Sequence, residues 1–162
     1  MLIALAGLPA AGKTTIARAL AVALDGVHLR IDSIEQVLRK AGWTVEGEGY
    51  EIAYAVAEDN LRLGRIVIAD SVNPWPLTRA AWREVAARAC VRAIDVEIIC
   101  SDVETHRRRV ESRTSDVPGL ELPTWQDVVA RDYRPWDTPR LVVDTAFLSV
   151  DQAIAAVVSA AQ

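Results

Sequence analysis

Cysteine is scarce in this chain, which carries only Cys90 and Cys100 in 162 residues. Two widely spaced thiols exclude a disulfide framework and a zinc site built on cysteine pairs, and they fit a reduced cytosolic compartment. Histidine is equally thin. His28 and His106 stand apart, without partners in the sequence, and read as structural. No apolar run approaches the length of a membrane span. The apolar N-terminal stretch lacks a basic region ahead of it, and Lys13 interrupts it, so the expectation is a soluble cytoplasmic protein without a signal peptide. Positive charge is not in surplus either. The net charge of −4 argues against a general nucleic-acid-binding surface, leaving open only a local arginine cluster. Repeats, low-complexity tracts and composition breaks are missing, which predicts one domain over residues 1–162. With 51% hydrophobic residues, that domain has enough apolar material for a core. Lysine is the rarest charged residue, with Lys13 and Lys40 set against sixteen arginines.

One of those two lysines falls where a motif demands it. Gly7-Leu8-Pro9-Ala10-Ala11-Gly12-Lys13-Thr14 fits Gly, four residues, Gly-Lys-Ser/Thr, the P-loop pattern. Ahead of it, Leu2 to Ala6 is an apolar run suited to a strand buried on both faces. Behind it, Ile16, Ala17, Leu20, Ala21 and Leu24 keep helical spacing. Strand, glycine-rich turn and helix are the context in which backbone N–H groups close around phosphate oxygens and a helix N-terminus adds partial positive charge. Gly7, Pro9, Ala10, Ala11, Gly12, Lys13, Thr14 and Thr15 are therefore the expected contacts to ATP. Lys13 would reach the β- and γ-phosphates, and the Thr14 hydroxyl would hold Mg²⁺.

The remaining chain alternates strands with helices. Val27 to Ile31 reads as a second strand, and Asp32-Ser33-Ile34-Glu35 opens a helix with a capping-box pattern. Tyr50 to Leu63 has helical spacing, and Ile66 to Ala69 is a third strand that ends at Asp70. Asn73-Pro74-Trp75-Pro76 is a rigid turn before a helix from about Leu77 to Val91. Ile94 to Cys100 forms a fourth strand, and Ser101 to Glu104 caps an arginine-rich helix. Residues 114–139 turn irregular, with four prolines and a short helix over Thr124 to Arg131. Leu141 to Val143 is a fifth strand, and Ser149 with Gln152 caps a final helix. This order predicts a parallel sheet covered on both faces, a three-layer α/β/α domain with its ligand at the carboxyl ends of the strands.

Several residues in this frame can carry chemistry. Asp32 follows the second strand directly and can take a proton from an acceptor hydroxyl, or it can cap a helix with Glu35. Asp70 ends an apolar strand in the Walker B manner, where it can orient Mg²⁺ or stabilise a turn; Ser71 and Asn73 are weaker candidates on the same rim. Arg109 and Arg113 share a helix face and can meet adenine and phosphate, whereas Arg107 and Arg108 fit a solvated helix end. Arg131 and Arg134 can close over phosphates or lie on the surface. Arg79 and Arg83 suit either a substrate-side role or a solvated helix face. Trp75, Trp125 and Trp136 lie in loops and can line an acceptor pocket or pack beneath a long loop.

Gly7 to Thr15, Asp32-Ser33 after the second strand, the strand-three aspartate and the arginine-bearing helix together resemble the small P-loop kinases. This nucleoside monophosphate kinase-like group includes gluconate kinase, adenylylsulfate kinase, the polynucleotide 5′-kinase domain and chloramphenicol phosphotransferase. Residues 116–125 look like the corresponding stretch of uncharacterised predicted kinases. The resemblance implies a P-loop NTPase fold with strand order 2-3-1-4-5 and a mobile lid at about 114–139. It implies Asp32 as base or acceptor anchor, Arg109 and Arg113 as lid arginines, and an adenine contact around Asp144 and Thr145. The expected activity is ATP-dependent phosphorylation of a hydroxyl on a small molecule, with the acceptor and the oligomeric state left open. A polynucleotide 5′-kinase is disfavoured by the acidic balance, and a toxin-like nucleotide-sugar kinase stays an alternative. A GTPase switch would want an Asn/Thr-Lys-x-Asp box, but Lys40 is followed by Ala41-Gly42. A motor-type ATPase would want a second acid where Ser71 stands.

Overall fold

The computed structural model describes residues 1–161. Its elements run β1 (Leu2–Ala6), α1 (Lys13–Ala23), β2 (Val27–Arg30), α2 (Ile31–Lys40), α3 (Glu48–Arg62), β3 (Val67–Asp70), α4 (Pro76–Arg88), β4 (Ala93–Ile99), α5 (Val103–Ser112), α6 (Trp125–Val129), β5 (Leu141–Asp144) and α7 (Val150–Ala161). All four strand pairings are parallel, in the order β2-β3-β1-β4-β5. The expected five-stranded sheet is thus the observed one.

Period-two alternation along β1 shows why three layers form. Leu2 and Ala4 face one side, where Leu29, Val67 and Ala69 meet Ala53, Tyr54, Ala57 and Leu61 of α3 and Trp82, Val85 and Ala86 of α4. Ile3 and Leu5 face the other, packing with Ile68, Val96, Ile98 and Val143 against Ile16, Ala17 and Leu20 of α1 and Ala153 and Val157 of α7. All five β1 residues are buried, as a central parallel strand requires. Among the described residues no helix is long and apolar enough to cross a membrane.

Three helix starts carry side-chain caps. Asp102 accepts from the Thr105 N–H at the head of α5, Thr124 and Asp127 form a full capping box on α6, and Ser149 exchanges bonds with Gln152 before α7. The capping box expected at Asp32 does not form. Strand β2 stops at Arg30, α2 begins at Ile31, and no side chain caps it. Asp32 therefore lies inside the first turn, where a carboxylate is favoured by the helix dipole but cannot serve as the cap. Glu35 is engaged instead by Arg39, at 2.8 Å.

Helix α4 departs from expectation in a second way. Arg79 is neither substrate-facing nor solvated: it is fully buried. Its guanidinium donates to the carbonyls of Asn73, Pro74, Arg134 and Pro135. Arg83 donates to the buried Asp95 carboxylate at 2.7 Å and to the Thr138 hydroxyl. Glu97 on β4 accepts from Tyr133 and Arg140. Residues 133–140 are thus fastened across β4, although their composition reads as loop.

Candidate active site

Strand ends set the site. The P-loop leaves the carboxyl end of β1, Arg30 closes β2, Asp70 closes β3 and Asp144 closes β5, all on one edge of the sheet. The loop's sharp course uses positive φ at Gly7, Ala10 and Gly12. A Cβ at Gly7 would collide with the Ile98 carbonyl of β4, and one at Gly12 would come within 3.2 Å of Thr145 Cγ2. Only glycine permits that approach without strain at both places. Gly12 then caps α1, so the helix N-terminus opens into the loop.

The lysine is held inside its own loop. Lys13 is 8% exposed and its Nζ donates to the Leu8 carbonyl at 2.8 Å. Burial lowers its pKa to about 8, against the opposing pull of Asp70 and Asp32; the Arg113 and Arg131 charges lower it further. Asp70 is 3% exposed. Burial pushes its carboxyl up, but a hydrogen bond with His28, the Lys13 charge and the Thr14 hydroxyl outweigh this and leave the pKa below the usual value. His28 Nε2 lies 3.1 Å from Asp70 Oδ2. His28 is therefore not unpaired, and neither is His106, whose Nε2 lies 2.8 Å from the Pro9 carbonyl. The His106 ring meets Trp125 edge-on at 5.4 Å, which links the P-loop to α5 and α6.

Arg109 and Thr145 come together. Arg109 donates to the Thr145 hydroxyl at 2.8 Å and to its carbonyl at 3.0 Å. The same hydroxyl donates toward the Ala11 and Ile99 carbonyls, which ties the loop after β5 to the P-loop. Asp144 serves the turn itself, accepting from the Ser101 and Ala146 N–H groups. Arg113 ends α5 with its Nε buried and without a hydrogen-bond partner. Arg107 pairs with Glu111 and Arg108 with Thr105, so both lie outside the site.

These parts border one open cleft of about 1800 Å³. P-loop residues Pro9, Ala10, Gly12, Lys13, Thr14 and Thr15 line it, with Asp32, Asp70, Arg109, Arg113, Arg131 and Thr145. Gly7 and Ala11 shape the loop from behind and are buried. Ser71 also reaches the cleft; Asn73 is fully buried and does not line it. Arg134 points outward and pairs with Asp132. Of Trp75, Trp125 and Trp136 only Trp75 borders the cleft; Trp125 lies not in a loop but at the start of α6, where it packs on His106, and Trp136 lies beneath Arg79.

The sequence reading missed four neighbours of the site. Tyr50 and Tyr54, one helical turn apart on α3, line the cleft, and the Tyr50 hydroxyl accepts from the Asn73 N–H. Their i, i+4 spacing was the available signal. Arg30 and Asp116 also line it and pair with each other at 2.8 Å. Nothing local to either residue announces a contact across so much chain.

The residues present fit ATP with Mg²⁺. The P-loop backbone leaves no room for side chains where it bends, and Thr14 and Asp70 offer the hard oxygens that Mg²⁺ takes. Among the described residues no cluster of three or more His, Cys, Asp or Glu side chains could hold a metal by itself.

A parallel 2-3-1-4-5 sheet with a Gly-x₄-Gly-Lys-Thr turn at the head of its central strand defines a kinase-like P-loop domain, a nucleotide-binding class. The AAA domain family model matches residues 2–135, and the chain belongs to that family. No curated protein matches the sequence. Among solved structures, a candidate kinase from Chloroflexus aurantiacus J-10-fl superposes with a TM-score of 0.75 at 23% identity, covering 99% of this chain and 95% of that one. The Mycobacterium tuberculosis APS kinase, in complex with AMPPNP and APS, gives 0.72 at 18% identity, covering 98% and 95%. A gluconokinase from Sinorhizobium meliloti 1021 gives 0.65 at 19% identity, covering 98% and 92%. At these identities the likeness carries the fold.

Proposed function

We propose that this protein transfers the γ-phosphoryl group of ATP to a hydroxyl of a small molecule, in the reducing environment of the cytoplasm. The observation that carries the reading is a carboxylate left free of helix capping, Asp32, in the same cleft as a buried P-loop lysine and a strand-end aspartate. ATP with Mg²⁺ supplies the transferable group and neutralises charge on the phosphates.

The chain's own residues supply position and proton transfer. The P-loop N–H groups and the N-terminus of α1 hold phosphate oxygens. Lys13 exchanges the Leu8 carbonyl for phosphate, and Thr14 with Asp70 holds Mg²⁺. Asp32 takes the proton of the acceptor hydroxyl. Arg109 stays on Thr145 to shape the nucleotide side, and Arg113 offers its unpartnered guanidinium to phosphate. Tyr50, Tyr54 and Trp75 give the acceptor side of the cleft an aromatic wall. Kinase solved structures of the same fold, a gluconokinase and an APS kinase, support small-molecule acceptors. Cys90 and Cys100, both free, support the compartment.

An ATP-consumption screen against alcohols, sugars, nucleosides and hydroxylated antibiotics tests the reading, with Lys13→Ala as control. One compound should give turnover well above background, and the control should lose it, since removing an electrostatic stabiliser of this kind costs about 3–4 kcal/mol. Turnover that survives in Lys13→Ala would overturn the assignment.

A further inference from the structure

The guanidinium groups of Arg18 and Arg30 converge on Asp116 beside Asp32, and Arg30 Nε also lies 4.0 Å from Asp70 Oδ2. Arg30 donates from Nη1 to Asp116 at 2.8 Å and from Nη2 to Asp32 at 3.4 Å. Arg18, from α1, donates to the other Asp116 oxygen. Arg113 lies close enough for the Asp32 and Arg30 charges to act on it. Arg18, Arg30, Arg113, Asp32 and Asp116 all border the cleft. Arg30 is the most confined of the arginines that meet Asp116: its side chain is 12% exposed, and its Nε is buried without a hydrogen-bond partner.

Asp116 does not belong to the framework that holds these arginines. It comes from the irregular stretch after α5 and is roughly half exposed. Its neighbours in the chain are held by weak contacts, such as the Gln36 amide reaching the Pro118 carbonyl at 3.4 Å. Ion pairs this open to solvent add little to stability. What the pairing does accomplish is to neutralise Arg30, a largely buried charge that would otherwise have only Asp32 at 3.4 Å and the more distant Asp70 at 4.0 Å. Hydrogen bonds from Arg30 and Arg18 hold the Asp116 carboxyl down at about 2, so the stand-in stays charged throughout the physiological range.

We propose that the acceptor carries an acidic group, a carboxylate or a phosphate, which docks on Arg30 and Arg18 where the Asp116 carboxylate now lies. Asp116 is a built-in surrogate that the acceptor displaces. The inference rests on the phosphotransferase reading and specifies its acceptor. Guanidinium forks match the planar oxygens of carboxylate and phosphate, which makes them suited to selecting such a group. Lifting Asp116 away leaves Arg18 with no carboxylate and Arg30 with Asp32 at 3.4 Å and an Asp70 already held by His28 and Lys13, an excess that a neutral alcohol cannot satisfy. The seat also adjoins Asp32 through Arg30, so an acid bound there would hold its own hydroxyl near the proton acceptor.

The test uses the full chain saturated with Mg²⁺ and AMPPNP, which fills the triphosphate site so that an added anion must bind elsewhere. Inorganic phosphate and acetate are titrated separately, with binding read by calorimetry and by the thermal unfolding midpoint. Asp116→Asn should bind at least one of them about tenfold more tightly than the wild type, the scale of one charged hydrogen-bond partner released. The anion that responds more strongly identifies the acidic group as phosphate or carboxylate. Adding Arg18→Gln or Arg30→Lys to Asp116→Asn should abolish the gain; Arg18 is exposed, so its replacement leaves the fold intact. An anion affinity that Asp116→Asn leaves unchanged or weakens, with AMPPNP bound, overturns this inference alone and makes Asp116 a structural latch. A gain that survives Arg18→Gln and Arg30→Lys overturns it as adventitious binding. Failure of AMPPNP to bind overturns the phosphotransferase reading, and this inference with it.

Discussion

The Arg79 guanidinium carbon lies 4.1 Å from the centroid of the Trp136 ring, while its nitrogens serve four backbone carbonyls. One buried side chain thereby holds the β3–α4 turn and residues 134–136 together. Arg79→Met keeps the volume but strips those carbonyls of their donor. It should cost about 3 kcal/mol, or roughly 10 °C in melting temperature for a domain of this size. Arg134→Ala should shift melting by less than about 2 °C, because Arg134 contributes its carbonyl to Arg79 and its side chain only to solvent-exposed Asp132. Equal melting temperatures for the two variants would refute the assignment.

Asp32 can now be tested without the ambiguity of a cap. Because α2 starts at Ile31 with no capping side chain, Asp32→Asn and Asp32→Ala should both stay within about 1 kcal/mol of wild-type stability, the range of a first-turn dipole contribution. Both should retain nucleotide affinity and lower phosphoryl transfer by roughly two to four orders of magnitude. Turnover near the wild-type value in Asp32→Asn would move the proton acceptor elsewhere, with Asp70 the next residue to examine.

Lys13 makes nucleotide affinity depend on pH. In the free folded protein its pKa is lowered from 10.5 to about 8, first by burial, so the unfolded chain holds more protons between these values. Stability of the free protein should therefore rise with pH through that window, as the buried ammonium is relieved. Binding needs the charged form, so the affinity for Mg²⁺ and AMPPNP should fall above pH about 8, approaching tenfold per unit. Calorimetry from about pH 7 to 9.5 measures the slope, and Lys13→Met should flatten it. A wild-type affinity constant across the range sinks the claim.

The irregular stretch should respond to nucleotide unevenly. Residues 114–123 are held by Asp116 and by the weak Gln36 contact, while 133–138 are fastened by Arg79, Arg83 and Glu97. Hydrogen exchange should therefore slow in 114–123 when ATP and Mg²⁺ are added, and be slow in 133–138 already without them. Uniform protection across 114–139 in both conditions would argue against a lid. Tryptophan fluorescence is the poorer probe of closure, since Trp136 sits under Arg79.

Where local chemistry decides structure, the sequence was legible. Apolar runs gave the five strands, and the P-loop glycines announced a turn that no Cβ would permit. Lys13, Thr14, Asp70, Arg109 and Thr145 all reach the cleft that their positions suggested. The failures share another cause. Asp32-Ser33-Ile34-Glu35 has the letters of a capping box, but Arg30 takes the N-cap position, two residues ahead of Asp32. Arg79 and Arg83 look like a solvated helix face until residues 133–140 cover them. His28 and Asp70 sit on neighbouring strands, two positions apart in register, but lie far apart in the chain. In each case the decisive partner comes from a distant segment, and no spacing rule reaches that far.

The place of β1 has a consequence for how the chain folds. It precedes every other strand, yet its edges are taken by β3 and β4, with Leu2 opposite Val67 on one side and Ala93 on the other. During synthesis the strand that bears the P-loop thus waits, apolar and without a partner on one edge, until β4 at Ala93–Ile99 has emerged. Sheets closed by such distant pairings form slowly, because the entropy of large loops must be lost before any pairing offsets it. A nascent chain of this protein should gain the ability to bind nucleotide late and abruptly, when β4 docks, and should be most prone to aggregate just before that moment.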